Sequence, residues 1–162
     1  MRTLLLLSTV CLASSVALFA SPAPPDVRQR LTGNWRLLSF ENFDEKGVAR
    51  PGGYSAGRLM YDAYGNVAAQ LTREGRKPLV STPTDAERAE AYAGFLAYYG
   101  RFVVDESKGL VTHHVEGSTN PNWVNTTLTR WYAFSHDDNR LMLSLHNDEG
   151  RVTGTLTWER MR

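Results

Sequence analysis

The chain has 162 residues and is nearly neutral, with 18 Lys and Arg against 17 Asp and Glu. Nucleic acids and anionic membrane surfaces select strongly basic proteins, so neither is an expected partner. The sole cysteine, Cys11, lies near the N-terminus. Thiolate zinc sites, iron–sulfur clusters and a cysteine nucleophile are therefore excluded from the rest of the chain.

The N-terminal segment has the layout of a secretory signal peptide. Residues 1–20 begin with Arg2, continue through an apolar stretch and end in small residues, ahead of a Pro-rich leader at 21–30. The apolar stretch is too short for a membrane span. We therefore expect cleavage near Ala20 and an exported protein, periplasmic or secreted, with no membrane insertion after cleavage. Residues 31–162 are long enough for one domain.

The rest of the sequence contains short runs rich in β-branched and aromatic residues, separated by turn signals. Eight strands are predicted in chain order, at 33–41, 57–62, 66–73, 99–105, 109–117, 123–135, 140–147 and 151–160. One helix is predicted over 84–98, where Thr84 or Asp85 caps a segment with apolar residues at Ala91, Phe95 and Tyr98. Short connections favour sequential hairpins. The prediction is an all-β fold, an eight-stranded antiparallel up-and-down barrel with one short inserted helix and room for one small ligand.

Two adjacent histidines stand in the predicted strand "GLVTHHVEG" at 109–117. Alternation along a strand places His113 inward with its apolar neighbours, and His114 outward with Glu116. Because the two rings point to opposite faces, the pair is a poor chelate, and no metal site is expected. His113 is either a hydrogen-bonded core histidine or a residue that contacts a ligand.

The next predicted strand places Arg130 among apolar residues on one face, with Leu128 and Tyr132. Burial of an arginine is costly without a partner, which is a carboxylate, an aromatic ring at the barrel floor or an anionic ligand. Tyr61 is a third residue, after His113 and Arg130, that places a polar group on an inward face. It is either an ordinary core tyrosine or part of a binding site.

Several ordered motifs carry a family resemblance. "LTGNWRLLSFE" at 31–41 has a Gly-x-Trp opening, and it is followed by "GRLMYDAYGNVAAQLTR", "YYGRFVVDESKGLVTHHVEGSTNPNW", "TRWYAF" and "LTWER". Together they resemble the bacterial and fungal lipocalin-like domain family over about residues 31–162. The resemblance implies a small β-barrel with a helix lid and a cavity for a small, largely apolar molecule. It also implies that Trp35 packs under an arginine at the closed end, which is Arg160 or, alternatively, Arg130. Asn125 stands where the family is expected to carry glycine.

We therefore expect an exported protein that binds a small hydrophobic ligand, with an acidic or carbonyl head, and that needs no cofactor. The expected cavity lining is Tyr61, Phe102, His113, Trp123, Leu128, Arg130 and Tyr132. The alternative is a barrel enzyme, an isomerase, cyclase or hydrolase, with His113 as general acid or base. No nucleophile elbow, phosphate loop or paired-carboxylate motif supports the enzyme. A third class is an envelope or stress protein whose cavity is incidental.

Overall fold

The computed structural model describes residues 26–162. The predicted signal peptide and most of the leader lie outside these residues. The described part contains helices α1 (Val27–Leu31) and α2 (Asp85–Ala93), a 3-10 turn at Pro121–Trp123, and nine strands. The strands are β1 (Gly33–Phe43), β2 (Ala49–Pro51), β3 (Ala56–Tyr61), β4 (Asn66–Thr72), β5 (Phe95–Asp105), β6 (Leu110–Ser118), β7 (Thr127–Phe134), β8 (Arg140–His146) and β9 (Val152–Arg160).

Chain neighbours pair with one another from β3 to β9, and β1 pairs with both β3 and β9. This closes an eight-stranded antiparallel barrel, which confirms the predicted fold. The ninth strand, β2, pairs only with the far half of β1, at Glu41–Phe43. It was not predicted from the sequence, because three exposed residues carry no alternating pattern.

Three predicted boundaries are wrong. The helix predicted over 84–98 ends at Ala93, and β5 begins at Phe95 rather than Tyr99. The reason is strand pairing, since Phe95 through Tyr98 lie opposite Thr72 through Ala69 of β4. The strand predicted over 123–135 begins at Thr127, because the chain first makes the 3-10 turn. Asn125 has a φ of 62°, the left-handed region that glycine favours.

The alternation of side chains along the strands determines which residues form the core. In β4 and β6 every second residue is buried, and the buried residues face the barrel axis. The end where Trp35 lies is closed by α1, whose Leu31 is fully buried. The indole Nε1 of Trp35 donates a 2.8 Å hydrogen bond to the Leu31 carbonyl oxygen. This leaves the opposite end of the barrel as the place for a cavity.

Strands β5 and β6 approach each other unusually closely at a β-bulge beside Gly100. A Cβ added to Gly100 would lie 1.9 Å from the carbonyl oxygen of His114. A side chain at this position would clash with the backbone of β6, so the bulge requires glycine.

Candidate functional site: the barrel cavity

A cavity of about 320 Å³ lies inside the barrel, toward the end opposite α1. Its wall is mostly apolar, and the apolar members are Phe40, Leu59, Ala69, Leu71, Leu96, Trp123, Leu143, Leu145 and Leu156. The polar groups come from Tyr54, Tyr98, Asn120, Arg130 and Trp158. An apolar chamber with a few polar groups is the usual form of a small-molecule site. The wall contains no residue of α2, so the implied helix lid does not contact this cavity.

The residues predicted to line the cavity occupy two regions of the barrel. Trp123 and Arg130 are in the cavity wall. Tyr61, Phe102 and His113 are buried in the core and are not part of that wall. Leu128 and Tyr132 are partly buried against the same core, also away from the wall.

His113 is fully buried between two tyrosine hydroxyls. Its Nε2 lies 2.8 Å from the Tyr61 hydroxyl, and its Nδ1 lies 2.8 Å from the Tyr98 hydroxyl. Burial, aided by the positive charges of Arg130 and His114, lowers the pKa of His113 to about 3. The imidazole is therefore neutral at physiological pH. His114 and Glu116 are exposed on the outer face, as alternation predicted.

Arg130 is a half-buried cation in an apolar wall. Its Nη1 donates a 2.8 Å hydrogen bond to the carbonyl oxygen of Thr129. Within residues 26–162, no Asp or Glu oxygen lies within 4.0 Å of this guanidinium, and it stacks on no aromatic ring. Its charge thus has no counter-ion in the described part of the chain.

Tyr98 and Trp158 are wall residues that the sequence analysis did not identify. The helical pattern predicted that Tyr98 lies in the helix. However, Leu96, Tyr98, Gly100 and Phe102 also occupy every second position, as residues on one face of a strand do. Trp158 is almost fully buried, and its indole Nε1 has no hydrogen-bond partner in the described residues. The sequence gives no signal for such an unpaired donor, because pairing depends on strands distant in the chain.

At the closed end, the Arg160 guanidinium lies over the Trp35 ring, 4.1 Å from its centroid. It donates hydrogen bonds to the carbonyl oxygens of Arg30 at 2.5 Å, Thr32 at 2.9 Å and Asp138 at 3.1 Å. This is the contact that the family resemblance implied. It belongs to the floor of the barrel rather than to the cavity.

No group of three or more His, Asp or Glu side chains is placed to hold a metal ion in the described part of the chain. None of the helices found between residues 26 and 162 is both long and apolar enough to cross a bilayer.

A closed antiparallel barrel around an apolar cavity defines a lipocalin-type binding fold, and it supports small-molecule binding. The sequence profile of the lipocalin-like domain matches residues 32–161. The chain therefore belongs to the lipocalin-like domain family.

Two further similarities accompany the family match. A 4'-hydroxy-3'-methoxypropiophenone carrier protein of Aspergillus oryzae is 45% identical over 53 residues, in a match that covers 29% of this chain and 48% of that protein. The chain thus spans about half the length of this curated relative. The solved structure of a redesigned β-barrel is 12% identical and has a TM-score of 0.43. The match covers 83% of this chain and 95% of the redesigned chain.

Proposed function

We propose that the protein is an exported carrier that holds a small, largely apolar molecule with an acidic or carbonyl head in the barrel cavity. The observation that carries this proposal is Arg130, a cation in an apolar wall that has no counter-ion among residues 26–162. An arginine in such a place loses hydration that no carboxylate of the described chain replaces. A ligand oxygen that accepts its hydrogen bonds restores that loss, which favours oxygen-bearing ligands.

The carrier relative supports the same ligand class. The ligand in the name of that relative is an aromatic ketone, with an apolar body and oxygen atoms that accept hydrogen bonds. The cavity offers leucine and aromatic side chains for such a body and Arg130 for such a carbonyl. An aromatic ketone or acid of this size is thus the proposed ligand class.

A carrier is favoured over a barrel enzyme that uses His113 as general acid or base. Both ring nitrogens of His113 are already hydrogen-bonded to tyrosines, and the ring is absent from the cavity wall. A general base must reach the proton that it abstracts. Deuterium exchange at the methyl group of 2-acetylnaphthalene tests the difference. We expect no exchange above buffer, whereas exchange that is lost in His113→Ala would establish the enzyme.

Export is proposed from the layout of residues 1–20. An intact mass of the protein purified from its own source tests it. A chain that begins near residue 21 supports export. A chain that retains residues 1–20 contradicts it, and a lipid on Cys11 would contradict cleavage near Ala20.

The head-group proposal is tested by titration with two probes of matching body, 2-naphthoate and 2-ethylnaphthalene. Arg130→Leu should weaken 2-naphthoate by more than about tenfold, since a charge-assisted hydrogen bond is worth roughly 1.5–3 kcal/mol. It should leave 2-ethylnaphthalene unchanged. The outer-face variant His114→Phe is the control and should affect neither probe. Failure of the wild-type protein to bind either probe, or an equal loss for both in Arg130→Leu, would contradict the proposal.

A further inference from the structure

Three polar side chains, Tyr61, His113 and Tyr98, form a hydrogen-bonded row from the barrel core to the cavity wall. They come from β3, β6 and β5, and both hydrogen bonds are 2.8 Å long. Only Tyr98 reaches the wall of the cavity. The direction of the hydrogen bonds in this row determines what Tyr98 offers to a ligand.

The direction follows from counting hydrogens. A neutral imidazole has one N–H group and one acceptor nitrogen, so one tyrosine donates to it and the other accepts from it. The Tyr61 ring is buried and makes an edge-to-face contact with the Phe102 ring, with centroids 4.8 Å apart, and its hydroxyl has no hydrogen-bond partner other than His113 in residues 26–162. If Tyr61 accepted from His113, its own hydrogen would be buried without an acceptor, which is costly. Tyr61 therefore donates to Nε2.

The proton of His113 is then on Nδ1, and this N–H donates to the Tyr98 oxygen. The hydrogen of the Tyr98 hydroxyl is consequently free to point into the cavity. Burial raises the pKa of Tyr98, so the hydroxyl keeps this hydrogen at neutral pH. The low pKa of His113 keeps the imidazole neutral, as the counting requires.

The other polar groups of the wall can all donate a hydrogen bond, and Tyr54 and Asn120 also carry oxygens that can accept one. The indole N–H of Trp158 has no partner in the described chain. The Oδ1 of Asn120 accepts a 3.1 Å hydrogen bond from the backbone N–H of Asn122, and its NH₂ group can donate to a ligand. Arg130 has only donors. No Asp or Glu is among the residues that line the cavity.

We propose that Tyr98 is a specificity-determining hydrogen-bond donor of the cavity, directed by Tyr61 through His113, and that the cavity selects ligands whose polar atoms are acceptors. The ligand class is an uncharged aryl ketone or aryl ether, with carboxylates also accepted. Donor-only groups, above all protonated amines, bind less tightly, since Tyr98, Trp158 and Arg130 offer them only donors and a buried donor opposite another donor remains unpaired. His113 and Tyr61 are positioning residues in this scheme. The inference rests on the proposed carrier function and makes it more specific.

The direction of the row is tested without any ligand, by ¹⁵N NMR of the histidine side chains in the wild-type protein. We expect the Nδ1–H tautomer for His113. An Nε2–H tautomer would overturn the proposal, because the Tyr98 hydroxyl would then donate its hydrogen to the imidazole and not to a ligand. In Tyr61→Phe the donor to Nε2 is absent, and we expect the tautomer signature of His113 to change. An unchanged signature would show that Tyr61 does not direct it.

Selectivity is tested with three probes of matching body, 2-acetylnaphthalene, 2-ethylnaphthalene and 2-naphthylmethylamine. The wild-type protein should bind the ketone most tightly and the amine least. Tyr98→Phe should weaken the ketone roughly threefold to tenfold, the usual worth of one hydrogen bond, and leave 2-ethylnaphthalene unchanged. Tyr61→Phe should weaken the ketone by a smaller factor. Tyr64→Phe is the control and should affect none of the probes, because Tyr64 is 81% exposed.

The outcomes separate the two proposals. If no probe binds the wild-type protein, the carrier function fails, and the selectivity fails with it. If the probes bind but the ketone and 2-ethylnaphthalene bind equally, or Tyr98→Phe weakens both alike, the carrier function stands and the donor role of Tyr98 is overturned.

Discussion

At the scale of single residues, His113 shows how a polar side chain is kept in an apolar core. It is fully buried, and both ring nitrogens are hydrogen-bonded. Such pairing offsets the loss of hydration for the neutral ring. It does nothing for the protonated ring, since Tyr61 would then have to stop donating to Nε2, and Arg130 repels the added charge.

Stability should therefore depend on pH through His113. The pKa of this histidine is about 3 in the folded protein and about 6.5 in an unfolded chain. Between these values the unfolded chain binds a proton that the folded protein does not. The free energy of unfolding should thus fall as pH decreases from about 6.5, by at most about 1.4 kcal/mol per pH unit from this group.

Urea unfolding at pH 7, 6 and 5 measures this dependence. His113→Gln should flatten it, whereas His114→Gln, on the exposed face, should keep the wild-type slope. Carboxylates whose pKa values are lowered by hydrogen bonds, such as Asp62 and Asp105, lose their stabilising effect mainly at lower pH. An identical slope in His113→Gln and the wild type would contradict the prediction.

At the scale of secondary-structure elements, α1 depends on the barrel for its stability. Five residues are too few for a stable isolated helix. The helix is held by the buried side chain of Leu31, by the Arg160 guanidinium, and by an ion pair of 2.5 Å between Arg30 and Asp138. One arginine of β9 thus supplies two of the hydrogen bonds that hold the element closing the floor of the barrel.

Replacement of Arg160 by lysine should release α1. A lysine keeps the charge, but its single ammonium group does not reproduce three directed hydrogen bonds and a stacked plane. We expect a loss of about 2–3 kcal/mol in the free energy of unfolding. Amide hydrogens at Arg30 and Thr32, which close the helix, should exchange faster.

Hydrogen exchange with mass spectrometry measures this release. Arg140→Lys is the matched control, because Arg140 is exposed on β8 and should tolerate the change within about 0.5 kcal/mol. Unchanged exchange at α1 in Arg160→Lys would show that burial of Leu31 alone holds the helix.

At the scale of the whole molecule, one strand pair differs from the others in the sequence separation of its two strands. β1 and β9 lie at opposite ends of the domain sequence, yet Trp35 lies opposite Arg160 and Asn42 opposite Gly154. The remaining neighbours in the barrel are consecutive strands. Pairing of distant segments has a higher loop-closure entropy cost than pairing within a hairpin.

Barrel closure should therefore form late in folding. Leu37→Ala, in the β1–β9 seam, should mainly accelerate unfolding, whereas Val111→Ala, in the β5–β6 hairpin, should also slow folding. Both side chains are buried, so each truncation gives a measurable loss of stability. Stopped-flow folding and unfolding rates across a urea series measure the two effects. A folding rate that is slowed more by Leu37→Ala than by Val111→Ala would place closure early.

The strand phases were predictable, because alternation depends only on neighbouring residues. The inward direction of His113 and the outward direction of His114 followed from the sequence in this way. The assignment of Tyr98 failed because Ala91, Phe95 and Tyr98 also fit a helical period, and pairing with β4 decided between the two. The packing of Trp35 under Arg160 came from family resemblance rather than from any local pattern.

The sequence by itself determined the eight strands, their hairpin order and the face on which each side chain lies, since these depend on residues close together in the chain. Only the tertiary structure decided that Tyr61 and Tyr98 lie on either side of His113, that Arg130 has no counter-ion in the described chain, and that Trp158 joins the cavity wall. Each of these facts depends on the register between strands. Register becomes fixed when the barrel closes and many side chains pack at once, which no single segment specifies.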